Sequence, residues 1–130
     1  MERRRRIGRS EEIRRARQQG RCWSTDTLVL CARPTGAAIS RFAFVVSKRQ
    51  GDAVVRNRIK RRLREATRRL AADIPAGYDI VMIARGPIAN RSSIDLEATI
   101  AGVLRRARLR PVAGLAPDQV QAATPGGPTP

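Results

Sequence analysis

Histidine is absent from the 130 residues, which removes the commonest general base and the commonest metal ligand from any chemistry this chain performs. Acidic residues are scarce, 11 against 27 Lys plus Arg. They are also scattered, with Asp26, Asp52, Asp73, Asp79 and Asp95 standing singly in different predicted elements. A two-metal protein nuclease needs clustered carboxylates, so each reads as a turn, cap or surface residue and no catalytic side chain is assigned. No apolar run approaches the roughly 20 residues of a membrane span, and residues 1–6 lack the apolar segment of a signal peptide. No membrane partner is expected, and the expected location is the cytoplasm. The only two cysteines, Cys22 and Cys31, fall in what reads as one extended segment, where nine residues span about 30 Å. They are expected not to bridge unless that strand is broken, and metal binding by the pair is equally disfavoured. The length suits one compact domain and leaves no room for a large substrate-binding unit, so no small-molecule substrate is expected.

What the chain has in abundance is positive charge, +16 in all and carried overwhelmingly by arginine. It is concentrated in residues 53–69, a helical pattern with eight basic residues and one acid, Glu65. At 100° per residue, Val55, Ile59, Leu63, Ala66 and Leu70 form one apolar stripe that must pack on a core. The opposite side is centred on Asn57, Lys60, Arg61, Arg64 and Arg68, with Arg58, Arg62 and Arg69 on one flank and Arg56 on the other. Like charges at i and i+4 repel by a few tenths of a kcal/mol per pair, and solvated faces normally interleave both signs. A polyanion is therefore the expected partner, and the planar guanidinium fork suits phosphate contacts better than lysine does.

Residues 1–9 read as a basic arm, ordered in part until it meets a partner, residues 10–110 as the folded domain, and residues 111–130 as a disordered tail rich in Pro, Gly and Ala. Ser10 with Glu11 and Glu12 starts a short helix that stops at Gly20. A strand is predicted over Cys22–Arg33 and another over Ile39–Ser47, the latter with Phe42, Phe44 and Val46 on one face and the smaller Ala43, Val45 and Ser47 on the other. That asymmetry predicts one packed and one accessible face. The Arg-rich helix is expected to reach Ala72, followed by a buried strand Tyr78–Ala84 and a last helix, Ser93–Leu109, capped by Ser92 or Ser93. With a possible short strand near 47–53, the pattern is α+β, one small sheet with helices packed on it.

The stretch Ser47-Lys48-Arg49-Gln50-Gly51-Asp52-Ala53-Val54-Val55-Arg56-Asn57-Arg58-Ile59-Lys60-Arg61-Arg62-Leu63-Arg64-Glu65 closely resembles the signature of the bacterial ribonuclease P protein subunit. The resemblance continues through Arg6-Ile7, Glu11-Glu12-Ile13, Gly20, Leu28-Val29-Leu30, Ser40-Arg41 and residues 75–85, covering about residues 5–108. It implies an αβββαβα sandwich with a small mixed sheet and a left-handed β-α-β crossover around the Arg-rich helix, against the usual hand. It implies further that the protein binds a catalytic RNA and the 5′ leader of precursor tRNA, assisting removal of that leader. The surface toward the RNA subunit would be Lys48, Arg56, Asn57, Arg58, Lys60, Arg61, Arg64 and Arg68. The leader cleft, between the first helix and the sheet, would comprise Ile13, Arg17, Val29, Cys31, Ala43 and Val45. Family members usually carry aromatics at the positions of Ile13 and Arg17, and often at Cys31, whereas this chain has none. Stacking on an aromatic is worth about 1–3 kcal/mol per base, so leader binding here would rest on van der Waals contact, Arg17 stacking and backbone electrostatics. Trp23 matches a usual aromatic position and suits a core role as well as a cleft role.

The implied chemistry is phosphodiester hydrolysis with Mg²⁺ held mainly by RNA phosphates, the protein alone being inactive. Two other classes compete: a structural RNA binder of ribosomal-protein type, which composition does not separate from the first, and a protein-only nuclease, disfavoured by the missing histidine and carboxylate cluster.

Overall fold

The computed structural model describes residues 3–110, so the expected tail at 111–130 lies outside the described residues. Helix α1 (Ser10–Gln19) leads into strands β1 (Arg21–Ser24), β2 (Leu28–Pro34) and β3 (Arg41–Val45). Helix α2 (Ala53–Arg69), strand β4 (Tyr78–Ala84) and helix α3 (Ser93–Ala107) complete the domain. The strands form one mixed sheet in the order β1-β2-β4-β3, with β2 antiparallel to β1 and β4 and β3 parallel to β4.

The third strand of the αβββαβα order comes from a break that the sequence pattern hides. Residues 22–33 alternate well enough to read as one strand, but the chain reverses at Thr25. The Thr25 hydroxyl accepts hydrogen bonds from the Leu28 amide at 3.0 Å and the Thr27 amide at 3.2 Å, and the Thr25 amide donates to the Leu28 carbonyl at 2.7 Å. A threonine that satisfies the local backbone in this way competes with the ladder and closes a hairpin. The hairpin overturns the expectation for the cysteines: Cys22 pairs with Cys31 across β1 and β2, Cα atoms 4.1 Å apart, and the two form a disulfide. That separation is the narrow spacing of a non-hydrogen-bonded antiparallel pair. The short strand expected near 47–53 is instead a 3₁₀ turn at Lys48–Gln50.

Strand alternation divides the core. Leu28, Leu30, Ala32, Phe42, Ile80, Met82 and Ala84 point to one face and are buried with Ile59, Leu63, Ala66 and Leu70 of α2 and Leu96, Ile100 and Val103 of α3. The apolar stripe of α2 is thus the one read from its spacing. Each fully buried Leu or Ile contributes on the order of 1.5–3 kcal/mol, which makes this layer the main source of stability. Trp23 belongs to it, 2 % exposed. On the opposite face α1 covers a smaller cluster of Ile7, Ala16, Ala43 and Val81. Within the arm, Arg6 forms a parallel bridge with Phe42, and the Ile7 amide donates to the Phe42 carbonyl at 2.8 Å, extending the β3 edge.

Helix ends follow local chemistry. Asp52 caps α2 by accepting from the Val55 amide at 3.0 Å, and Ser92 with Asp95 makes a reciprocal capping box on α3. Helix α2 stops at Arg69, three residues before its expected end, where Leu70 leaves helical geometry and a 3₁₀ turn at Ala71–Asp73 follows. At Arg108 the chain enters the left-handed region and closes α3.

Candidate nucleic-acid interface

Helix α2 lies with its apolar stripe on the sheet, which turns the cationic side outward. Two arginines on the flank toward α3 are held internally. Arg62 donates to the carbonyls of Ala89 and Arg91 at 3.0 and 2.9 Å, fastening the loop that precedes α3. Arg69 pairs with Glu65 at 2.8 Å and lies 3.7 Å from Glu97. The one acid in the helix is therefore neutralised by a residue outside the expected RNA-facing set. Among the described residues, Arg56, Arg58, Lys60, Arg61, Arg64 and Arg68 form no ion pair. The Nε atoms of Arg56 and Arg58 are shielded from solvent without a hydrogen-bond partner. An unsatisfied buried donor costs about 1–3 kcal/mol. Asn57, Arg61 and Arg68 are exposed, as are Lys48 and Arg49 in the turn before the helix. Gln50 ties that turn to the Gly86 carbonyl at 3.0 Å.

The opposite face of the sheet is organised in three rows set by strand register. Arg33, Asp79 and Arg41 form a polar row, Cys31, Val81 and Ala43 a second, and Val29, Ile83 and Val45 a third. Helix α1 closes the second row, so Cys31 is 2 % and Ala43 7 % exposed. The third row is half-exposed and forms an apolar trough bordered by Ile13. Of the six expected cleft residues, Ile13, Val29 and Val45 line this trough. Arg17 stands exposed one helical turn beyond Ile13, and Cys31 and Ala43 are floor beneath α1. Val81 and Ile83 were missed, because an unbroken apolar run in β4 does not announce which residues face which way. Alternation from Asp79, a polar residue on the α1 face, is the signal that finds them. The trough ends at Val45, two residues before the turn at Ser47 that carries Lys48 and Arg49, so the two surfaces meet at the start of α2.

The α1 face carries one further polar device. Arg41 grips Asp79 with both ends of its fork, Nε to Oδ1 at 3.0 Å and Nη2 to Oδ2 at 2.8 Å, and Nη2 also bonds Glu12 on α1. The Asp79 bonds, opposed by burial and aided by Glu12, raise the Arg41 pKa above its ordinary value. The Arg41 bond holds the Glu12 carboxyl below its own.

Asp79 is taken by Arg41, Asp52 and Asp95 by helix caps, and no group of three or more Asp, Glu, Cys or His side chains suited to a metal ion occurs among the described residues. None of the helices among them is long and apolar enough to cross a membrane.

The Ribonuclease P family model matches residues 1–108. The chain belongs to the ribonuclease P protein family. The ribonuclease P protein component of Roseiflexus castenholzii is 45 % identical over 108 residues, covering 82 % of this chain and 88 % of that protein. That of Brevibacillus brevis is 37 % identical over 110 residues, covering 84 % of this chain and 87 % of its own. Among solved structures, the ribonuclease P protein of Thermotoga maritima superposes with a TM-score of 0.72 at 27 % identity, over 81 % of this chain and 97 % of that one. The Staphylococcus aureus protein gives 0.69 at 26 % identity, over 78 % and 93 %. Ribonuclease P is a tRNA-processing ribonuclease, and this chain is of its protein-component type. The α+β fold with a four-stranded mixed sheet is the family's fold.

Proposed function

We propose that this protein docks on the catalytic RNA of ribonuclease P through the outer face of α2, and receives the single-stranded 5′ leader of precursor tRNA in the trough between α1 and the sheet. The observation that carries the reading is the row Arg56, Arg58, Lys60, Arg61, Arg64 and Arg68, which finds no counter-ion among the described residues on a helix otherwise tightly packed. Lys48 and Asn57 complete the docking surface. The half-exposed row Val29, Ile83 and Val45, with Ile13 and Arg17 above it, offers van der Waals contact and one stacking guanidinium in place of aromatic rings.

In this reading the chemistry resides in the RNA. Mg²⁺, held mainly by RNA phosphates, would supply the Lewis acid; among the described residues no group of three or more Asp, Glu, Cys or His side chains is suited to hold it. The protein's own contribution is to neutralise phosphates so that two RNAs approach at physiological salt, and to add contact with the leader. Reconstitution tests this directly: cleavage of precursor tRNA at low Mg²⁺ by a bacterial ribonuclease P RNA, with and without this protein. A faster reaction with protein supports the proposal, and equal rates refute it. Cleavage by the protein alone would instead assign it the chemistry.

A further inference from the structure

Helix α1 is attached to the sheet unevenly. Ala16 is its one fully buried residue. At its C-terminal end the chain passes through Gly20, where an added Cβ would lie 2.4 Å from the Ala16 carbonyl oxygen and 2.7 Å from that of Ala32, and continues at once into β1. That end is pinned by backbone contact. The N-terminal half bears on the sheet through partly buried Ile13 and through the Glu12 carboxylate on Arg41. Arg41 in turn is fixed by bidentate contact to Asp79, whose side chain is 3 % exposed, and the two lie in register on β3 and β4. The helix is thus pinned at Gly20, while at its other end the Ile7 amide on the Phe42 carbonyl ties the chain that enters it and Glu12 latches the first turn of the helix itself.

We infer that Arg41 is a positioning residue for leader binding: through Glu12 it holds α1 at the height that keeps the Val29–Ile83–Val45 trough open to one strand of nucleic acid. The inference rests on the leader cleft proposed above. Without the latch, α1 samples other heights, and the apparent affinity for the leader falls by the fraction of time the competent one is populated. The geometry also fixes a sign. A carboxylate beside a trough for nucleic acid would by charge alone weaken binding, so its neutralisation would tighten it. A latch gives the opposite result.

The test uses holoenzyme reconstituted on a bacterial ribonuclease P RNA with wild-type protein or Glu12→Gln, comparing affinity for precursor tRNA bearing a multi-nucleotide leader with affinity for the same tRNA without one. Glu12→Gln leaves the buried Arg41–Asp79 pair intact, so the fold is retained. The expected result is a loss of about 2- to 5-fold in the leader-dependent gain, the range open to a partly exposed ion pair. Affinity for the RNA subunit and kcat stay unchanged, KM rises, and amide exchange quickens in α1 alone. Equal or tighter leader binding by Glu12→Gln would overturn the inference, as would an equal loss with and without leader. If wild-type protein itself gives no leader-dependent gain, the cleft reading fails; if it gives one that Glu12→Gln preserves, only the latch does.

Discussion

Replacing Arg56, Arg61 and Arg64 together with alanine removes three of the six cations that α2 presents without internal partners. If each neutralises one phosphate, the log–log dependence of RNA-subunit affinity on salt should flatten by about 2 to 3 units, at 0.7–0.9 per contact. Over a fourfold rise in salt that slope difference makes the variant's loss of affinity roughly 20- to 40-fold smaller than the wild type's. The fold should be indifferent. None of the three forms an ion pair among the described residues, and their removal relieves like-charge neighbours such as Arg56 with Lys60 and Arg64 with Arg68, each worth a few tenths of a kcal/mol. Filter binding to a bacterial ribonuclease P RNA at a series of salt concentrations reads the slope, and thermal melting of the free protein reads the fold. Parallel salt lines for variant and wild type would refute the docking face. A large fall in Tm would show that the three side chains are structural after all.

Arg62→Ala should behave in the opposite way, because its two carbonyl contacts fasten the loop before α3: stability falls by about 1–2 kcal/mol with the salt slope nearly unchanged. Melting and the same binding series decide it, and an unchanged Tm would contradict the assigned role. Gly20→Ala places a Cβ against two carbonyl oxygens and should cost on the order of 1–3 kcal/mol in chemical denaturation; an unaltered midpoint would mean that α1 and β2 are not in backbone contact there. Reducing the Cys22–Cys31 disulfide, which closes a sequence separation of 9, should lower stability by about 2–3 kcal/mol and expose two thiols to titration. Equal stability with and without reductant would remove the disulfide from the native state.

Elements whose boundaries are written in side-chain chemistry were legible before any coordinates. Helix α1 and strand β4 fall on the expected residues, because Glu11, Glu12 and Gly20 delimit the first and Pro75-Ala76-Gly77 and Gly86-Pro87 enclose the second. The αβββ count was right for a different reason than the one first apparent, since the extra strand comes from the turn at Thr25 and not from residues 47–53. Threonine is a good strand residue and gives no warning when its hydroxyl instead caps a hairpin. The same blind spot hid the disulfide, which depends on register between two strands read as one. On α2, helical spacing gave the outward centre Asn57, Lys60, Arg61, Arg64 and Arg68 but put Arg58 on one flank with Arg62 and Arg69; that Arg62 and Arg69 are held internally needs their contacts with Ala89, Arg91, Glu65 and Glu97. The trough was legible only in part: Val29 and Val45 follow from alternation, whereas Ile83 needs the pairing of β3 with β4, a contact between segments separated by a whole helix.

Strand β4 has a paired neighbour on each side, and both helix layers take anchoring residues from it in strict alternation. Ile80, Met82 and Ala84 serve α2 and α3, and Val81 and Ile83 serve α1. Both layers therefore share a single frame. Inserting or deleting one residue between Asp79 and Ile83 exchanges the two sets, placing bulky Ile and Met beneath α1 and taking Asp79 away from Arg41. The connections around the sheet can absorb a change of length, whereas a residue lost within β4 misplaces the anchoring residues of all three helices.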